Sequence, residues 1–221
     1  MGVGVERVVG DGVEQELPGE YGPIIREAVE RTVGTAEEAW IDRYNDRFYH
    51  HFGTFVADPY CRAFADVCTA FDLDADPAEL AENLIHCEFA AVEPVPGVAD
   101  AVAKLADRHT LGILTNGIPE VQFGKVERQG LLERFDVRVA SDDPAIAATK
   151  PDAAIYEAAR ERAERAAEDT VSDDHGTLVM VGDDYEPDIA GAREHGFEAV
   201  HVDAAAEGPT VPDFETLATL L

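Results

Sequence analysis

The sequence predicts an α/β protein: a doubly wound parallel sheet with a four-helix segment inserted after its first strand. Three observations predict it. From about residue 21 to residue 92 the apolar positions recur at intervals of three and four, the helical period alone. After Pro94-Val95-Pro96-Gly97 the pattern changes to helices alternating with short apolar strands, the order that builds right-handed βαβ units. Polar and glycine-bearing stretches fall just past several predicted strands, where an open parallel sheet binds its ligands.

The elements follow in chain order. The valine-rich Val3 to Val9 is the one candidate for the opening strand. Ile24, Ile25, Ala28 and Val29 mark a first helix, and Trp40, Ile41, Tyr44 and Phe48 a second. Phe64, Val67, Cys68 and Phe71 mark a third, and Leu80, Leu84 and Ile85 a fourth. Asp58-Pro59 and Asp76-Pro77 each put a capping side chain before a proline at the first helical position. Helices are then expected over 98–106, 119–129, 153–167 and 187–194, with strands over 110–114, 137–140, 178–181 and 199–202. The α/β core is therefore assigned to residues 1–20 and 93–221, and the helical insert to 21–92. An irregular stretch from Asp203 to Pro212 precedes a last short helix.

Composition narrows the class. The 221 residues can hold a core of about 130 to 150 residues and a smaller inserted unit. No apolar run approaches the roughly 18 residues of a membrane span, and the start lacks the basic-then-apolar order of a signal peptide, so a soluble cytoplasmic protein without a membrane partner is expected. Cys61, Cys68 and Cys87 lack metal-ligand spacing and read as free thiols in helices. The formal charge is −29, and only Lys104, Lys125 and Lys150 are lysines. Such a chain repels nucleic acid, and its self-repulsion needs screening, which points to a high-salt cytoplasm.

Chemistry is expected at the strand ends. Thr115-Asn116-Gly117 offers a hydroxyl, an amide and a permissive glycine that could bind a phosphate, although Asn-Gly is also a common turn. Lys150, just ahead of a helix, is either a solvated lysine or a point charge for a phosphoryl group. Gly182-Asp183-Asp184-Tyr185-Glu186-Pro187-Asp188 is either a solvated loop or a set of carboxylates suited to Mg²⁺.

In this order, at the ends of successive strands, these residues resemble the haloacid dehalogenase-like (HAD) family. Thr115-Asn116-Gly117 resembles its second motif, Lys150-Pro151 its third, and Gly182-Asp183 with Asp188 its fourth. Asp188-Ile189-Ala190-Gly191-Ala192-Arg193, followed by Gly196, is similar to the helix after that motif, and residues 21–92 have the place of the family's helical cap. The resemblance implies phosphate binding by Thr115, Asn116, Gly117 and Lys150, and Mg²⁺ held by Asp183 with Asp11 and Asp188, Asp184 being the competitor of Asp188. Thr115, Lys150 and Asp11 become the catalytic candidates.

The first motif departs from the family's Asp-x-Asp-Gly-Thr. In Val9-Gly10-Asp11-Gly12-Val13 the Asp-Gly pair aligns Asp11 with the acid/base and leaves Val9 at the nucleophile. Shifting the register makes Asp11 the nucleophile and leaves Val13 as acid/base. The expected function is a Mg²⁺-dependent phosphatase of a small phosphorylated metabolite. The alternative is a relative that binds a phosphorylated ligand without turnover, and a third reading is an opening stretch altered by a wrong start or frame error. Dehalogenation fits the Asp183 cluster less well, and a receiver-like domain leaves the helical insert unexplained. In that insert Asn45, Arg47 and Arg62 read first as solvent-facing and second as substrate contacts.

Overall fold

The computed structural model describes residues 5–9, 21–94, 96–168, 176–202, 211–212 and 214–220, with the backbone alone for 5–9, 167–168, 214–215 and 220. The chain divides into two compact units, residues 1–15 with 94–221 and residues 16–93.

The helical unit holds α1 (Gly22–Val33), α2 (Glu38–Gly53), α3 (Pro59–Phe71) and α4 (Pro77–Ala91). Helix α1 packs on α4, and α3 packs on both α2 and α4. The periodic apolar positions are the ones removed from water: Ile24, Ile25, Ala28 and Val29 on α1, Trp40, Ile41 and Tyr44 on α2, Phe64 and Val67 on α3, Leu80 and Leu84 on α4. Asp76 caps α4 as expected, accepting from the Ala78 N–H at 2.9 Å. Asp58 does not cap α3. Its backbone is left-handed (φ 57°), not extended as a capping residue requires, and its side chain makes no cap bond. The unit also buries Glu88, which accepts from the hydroxyls of Tyr21 and Tyr60.

The core unit contains β1 (Val5–Val9), α5 (Val98–Ala106), β2 (Leu111–Thr115), α6 (Pro119–Arg128), β3 (Val137–Ala140), α7 (Ala153–Glu168), β4 (Thr177–Gly182), α8 (Gly191–Glu194), β5 (Glu198–His201) and α9 (Phe214–Leu220). The five strands pair in parallel in the order β3-β2-β1-β4-β5. Alternate residues serve opposite faces, as the pleat requires. Leu111, Ile113, Val179 and Val181 pack with α5, α6 and α9, while Leu114, Leu178 and Met180 pack with α7 and α8. Apolar cover on both faces explains why these strands read as continuous hydrophobic runs.

One helix differs from expectation. In place of a helix over 187–194, a π-helical turn, Tyr185–Ala190, runs into α8. Pro187 lies within that turn and has no N–H to give an α-helical ladder. The irregular stretch expected from Asp203 falls largely on 203–210, outside the described residues, although Val211 pairs in parallel with Val202.

Candidate active site at the carboxyl end of the sheet

Strand β2 delivers Thr115, whose side chain is buried at the strand's end. The turn beyond it is held by the next strand. The Ser141 N–H donates to the Thr115 carbonyl at 3.0 Å, the Gly117 N–H to Ser141 Oγ at 3.0 Å, and the Asp142 N–H to the Gly117 carbonyl at 3.1 Å. A Cβ at Gly117 would stand 2.3 Å from the Gln122 side chain, so only glycine lets α6 start this close. The N–H of Gly117, expected on a phosphate, is therefore given to Ser141.

The Asn116 side chain bonds the Lys150 segment. Its Nδ2 donates to the Lys150 carbonyl at 3.1 Å, and the Lys150 N–H donates to its Oδ1 at 2.7 Å. Lys150 itself is 4% exposed, and its Nζ donates to Asp188 Oδ1 at 2.6 Å. The second oxygen of Asp188 lies 3.3 Å from the Asp184 N–H. A Cβ at Gly182 would stand 2.3 Å from Asp188 Oδ2, so a glycine at the end of β4 makes room for this carboxylate. The hydroxyl of Tyr156 donates to the Pro187 carbonyl and would meet a Cβ at Gly191 at 2.6 Å, which pins the π-helical turn against α7. Burial, with the charges of Asp188 and Glu194, pushes the Tyr156 phenol well above its ordinary range, so it remains a donor.

Asp183 and Asp184 are exposed at the end of β4, and the Asp183 carbonyl lies 2.9 Å from His201 Nε2. Carboxylate oxygens are the donors a hard divalent cation takes. Among the described residues no three His, Cys, Asp or Glu side chains converge. Both oxygens of Asp188 are engaged by Lys150 and the Asp184 N–H. Asp11 lies outside the described residues.

The structure therefore brings Asn116, Lys150 and Asp188 into one connected set with the Thr115 turn. Sequence reasoning missed Ser141 and Tyr156. Ser141 was findable, being the first residue past β3; Tyr156 lies inside a helix and carries no such signal. Arg47 and Arg62 in the helical unit have partners of their own, Asp66 Oδ2 at 2.6 Å and the Ala57 carbonyl at 2.8 Å.

A cavity of about 720 Å³ walled by Thr110, Phe135, Val137, Arg138 and Arg162 lies at the amino ends of β2 and β3. That is the wrong end of a parallel sheet for its ligand. Its arginines Arg138, Arg162 and Arg165 donate to the Leu132 carbonyl, to Asp143 and to Glu161.

Comparison with known proteins agrees with this architecture. The family model of haloacid dehalogenase-like hydrolases matches residues 6–196. The pyrimidine 5'-nucleotidase YjjG of Escherichia coli is 30% identical over 132 residues, 60% of this chain and 55% of that protein. The phosphoserine phosphatase of Thermus thermophilus is 32% identical over 129 residues, 57% of this chain and 48% of that protein. The chain thus spans about half the length of the curated relatives it matches. Among solved structures, a 2-haloacid dehalogenase from Pseudomonas syringae superposes with a TM-score of 0.73 at 22% identity, covering 98% of this chain and 100% of that one. The HAD-hydrolase YfnB of Bacillus subtilis superposes at 0.67 and 17% identity, covering 97% of each chain. These two likenesses concern the fold. With the family model spanning most of the sequence and the parallel sheet, inserted helices and strand-end residues in their expected order, the chain belongs to the haloacid dehalogenase-like hydrolases.

Proposed function

We propose that this chain is a Mg²⁺-dependent phosphatase of a small phosphorylated metabolite, with its site at the carboxyl end of the sheet. The observation that carries the reading is Lys150, a buried cation beside the Asp188 carboxylate, bound through Asn116 to the turn that follows Thr115. A buried ion pair is weak evidence for stability. At the ligand end of the sheet its use is as a fixed charge for phosphoryl oxygens. The relatives support the class, being named for a nucleotidase and for phosphatases.

In this reading the Thr115 hydroxyl and Lys150 hold the phosphoryl group, and Asp188 holds Lys150. Asp183, with Asp11, would hold Mg²⁺, which when bound neutralises charge on the phosphoryl oxygens. The structure of YfnB is described as bound to magnesium, which supports that choice of cation.

The strand register bears on the first motif. Val9 lies level with Ile113 of β2 and Val181 of β4, in each case two residues before Thr115 and Asp183. Asp11 is two residues on from Val9 in the sequence. This count supports Asp11 as the nucleophile and Val13 at the acid/base position. The Asp11 carboxylate would then attack phosphorus as the ester P–O bond breaks, and Val13 has no proton to give the leaving oxygen. Turnover would be slow for want of a general acid. The same valine favours a second reading, a module that binds a phosphorylated ligand without turning it over.

Hydrolysis of an aryl phosphate in molar KCl, with and without MgCl₂, tests the proposal. Slow Mg²⁺-dependent release that is lost in Lys150→Gln and in Asp183→Asn supports it. Tight phosphate binding with no release in any condition supports the binding module. The acidic composition and the scarcity of lysine further support a cytoplasm of high salt. Among the described residues no helix is long and apolar enough to cross a membrane.

A further inference from the structure

Asn116 sits where a phosphate ligand is expected, yet its amide is committed elsewhere. A primary amide has two N–H donors and two acceptor lone pairs. Here one donor and one acceptor meet the carbonyl and the N–H of a single residue, Lys150, at 3.1 and 2.7 Å. An asparagine that merely shapes a turn bonds the backbone close to itself. This one reaches a residue 34 positions away.

The two-point bond matters because it ties the Lys150 backbone to a turn far from it in the sequence. Lys150 lies between β3 and α7, outside any helix or strand, in a turn that the Asp152 N–H closes on the Thr149 carbonyl at 2.7 Å, and the following Pro151 has no N–H to donate. The other side of the clamp is firm. Three hydrogen bonds shared with Ser141 and Asp142 hold the backbone of 115–117. The Asn116 side chain is thus a short strut between a fixed turn and an irregular segment.

We propose that Asn116 is a positioning residue: it sets the Lys150 ammonium by clamping the Lys150 backbone to the tip of β2, and its side chain does not ligate the phosphate. The inference rests on the phosphate-site reading above. Lys150 is held at two ends, its backbone by Asn116 and its Nζ by Asp188, and the loss of either lets the ammonium drift from the phosphoryl oxygens.

A double-mutant cycle on inorganic phosphate binding, by calorimetry with MgCl₂ in molar KCl, tests this. The variants are Asn116→Ala, Lys150→Gln and both together; glutamine keeps a donor for Asp188 without the charge. Asn116→Ala should weaken phosphate about tenfold in the native background and less than about twofold when Lys150 is already Gln, because it acts through that ammonium. Equal losses in the two backgrounds would mean that Asn116 touches the phosphate itself, and no loss in either would mean that it positions nothing. If Lys150→Gln alone binds phosphate as the native chain does, the phosphate-site reading fails and this proposal falls with it.

A second readout does not depend on phosphate. With three lysines in the chain, ¹³Cε-lysine spectra contain three side-chain signals, and Lys150→Arg identifies the one of interest. Asn116→Ala should move the Lys150 signal and leave that of Lys104 in place. Asn116→Asp, which keeps size and acceptor but loses the donor, serves if the alanine variant does not fold. An unmoved Lys150 signal in a folded variant overturns the clamp, whatever happens to phosphate.

Discussion

The Nζ of Lys150 stands 2.6 Å from Oδ1 of Asp188, and each side chain is 1% exposed. Removing one partner strands the other charge in the interior. Lys150→Met should therefore cost about 3–5 kcal/mol, and adding Asp188→Leu should return much of it. Urea unfolding in molar KCl measures both. A midpoint for Lys150→Met equal to the native one would show that water reaches Asp188.

Gly182 sets the space for the same carboxylate. The Cβ of Gly182→Ala would come within 2.3 to 2.5 Å of the Asp188 side chain, so the carboxylate must shift away from Lys150. Overpacking of this kind costs about 1–3 kcal/mol. The expected result is a lower urea midpoint together with weaker phosphate binding. Native behaviour in both would remove the steric argument.

The register of β1 separates two assignments of the first motif. With Asp11 as nucleophile, Asp11→Asn abolishes aryl phosphate hydrolysis, and Val13→Asp raises it by about 10²-fold or more by supplying a general acid. Val9→Asp should not help, since position 9 lies level with Ile113, two residues and about 7 Å short of Thr115. Hydrolysis restored by Val9→Asp, and surviving Asp11→Asn, would reverse the assignment.

The helical unit carries an acid-sensitive contact. Asp66 Oδ2 accepts from Arg47 Nε at 2.6 Å and lies 2.8 Å from His51 Nε2. Burial pushes the Asp66 carboxyl up, but the hydrogen bonds and charges of Arg47 and His51 together hold it below its ordinary value. A depressed carboxyl stabilises the fold above the unfolded-state value and loses that contribution as pH falls through the folded one. Thermal melts from pH 6 down to the acid range should show Asp66→Asn less stable near neutrality and converging on the native chain in acid. Parallel curves throughout would show that Asp66 titrates alike folded and unfolded.

Salt should matter for the whole chain. At about 0.1 M KCl the Debye length is about 10 Å, and a formal charge of −29 repels itself across the surface. The melting temperature should fall steeply from molar KCl to that concentration. A flat salt series would end the high-salt reading.

Local pattern by itself determined most helix and strand positions, the helix expected over 187–194 excepted. Burial of Ile24, Ile25, Ala28 and Val29 follows from a spacing of three and four, and Leu111–Thr115 is buried throughout because both faces of the sheet are covered. The same logic put Thr115 and Asp183 at strand ends and Lys150 just ahead of a helix, since position relative to an element is also local. What the tertiary structure alone decided are relations between distant segments: β1 between β2 and β4, Asn116 on Lys150 across 34 residues, Lys150 on Asp188 across 38. Even Asp58 belongs here, since the expected cap depended on a backbone angle that residue type does not dictate. Periodicity records which neighbours along the chain share a face. Which of two donors a buried amide or carboxylate meets depends on the path the chain takes between them, and no spacing encodes that path.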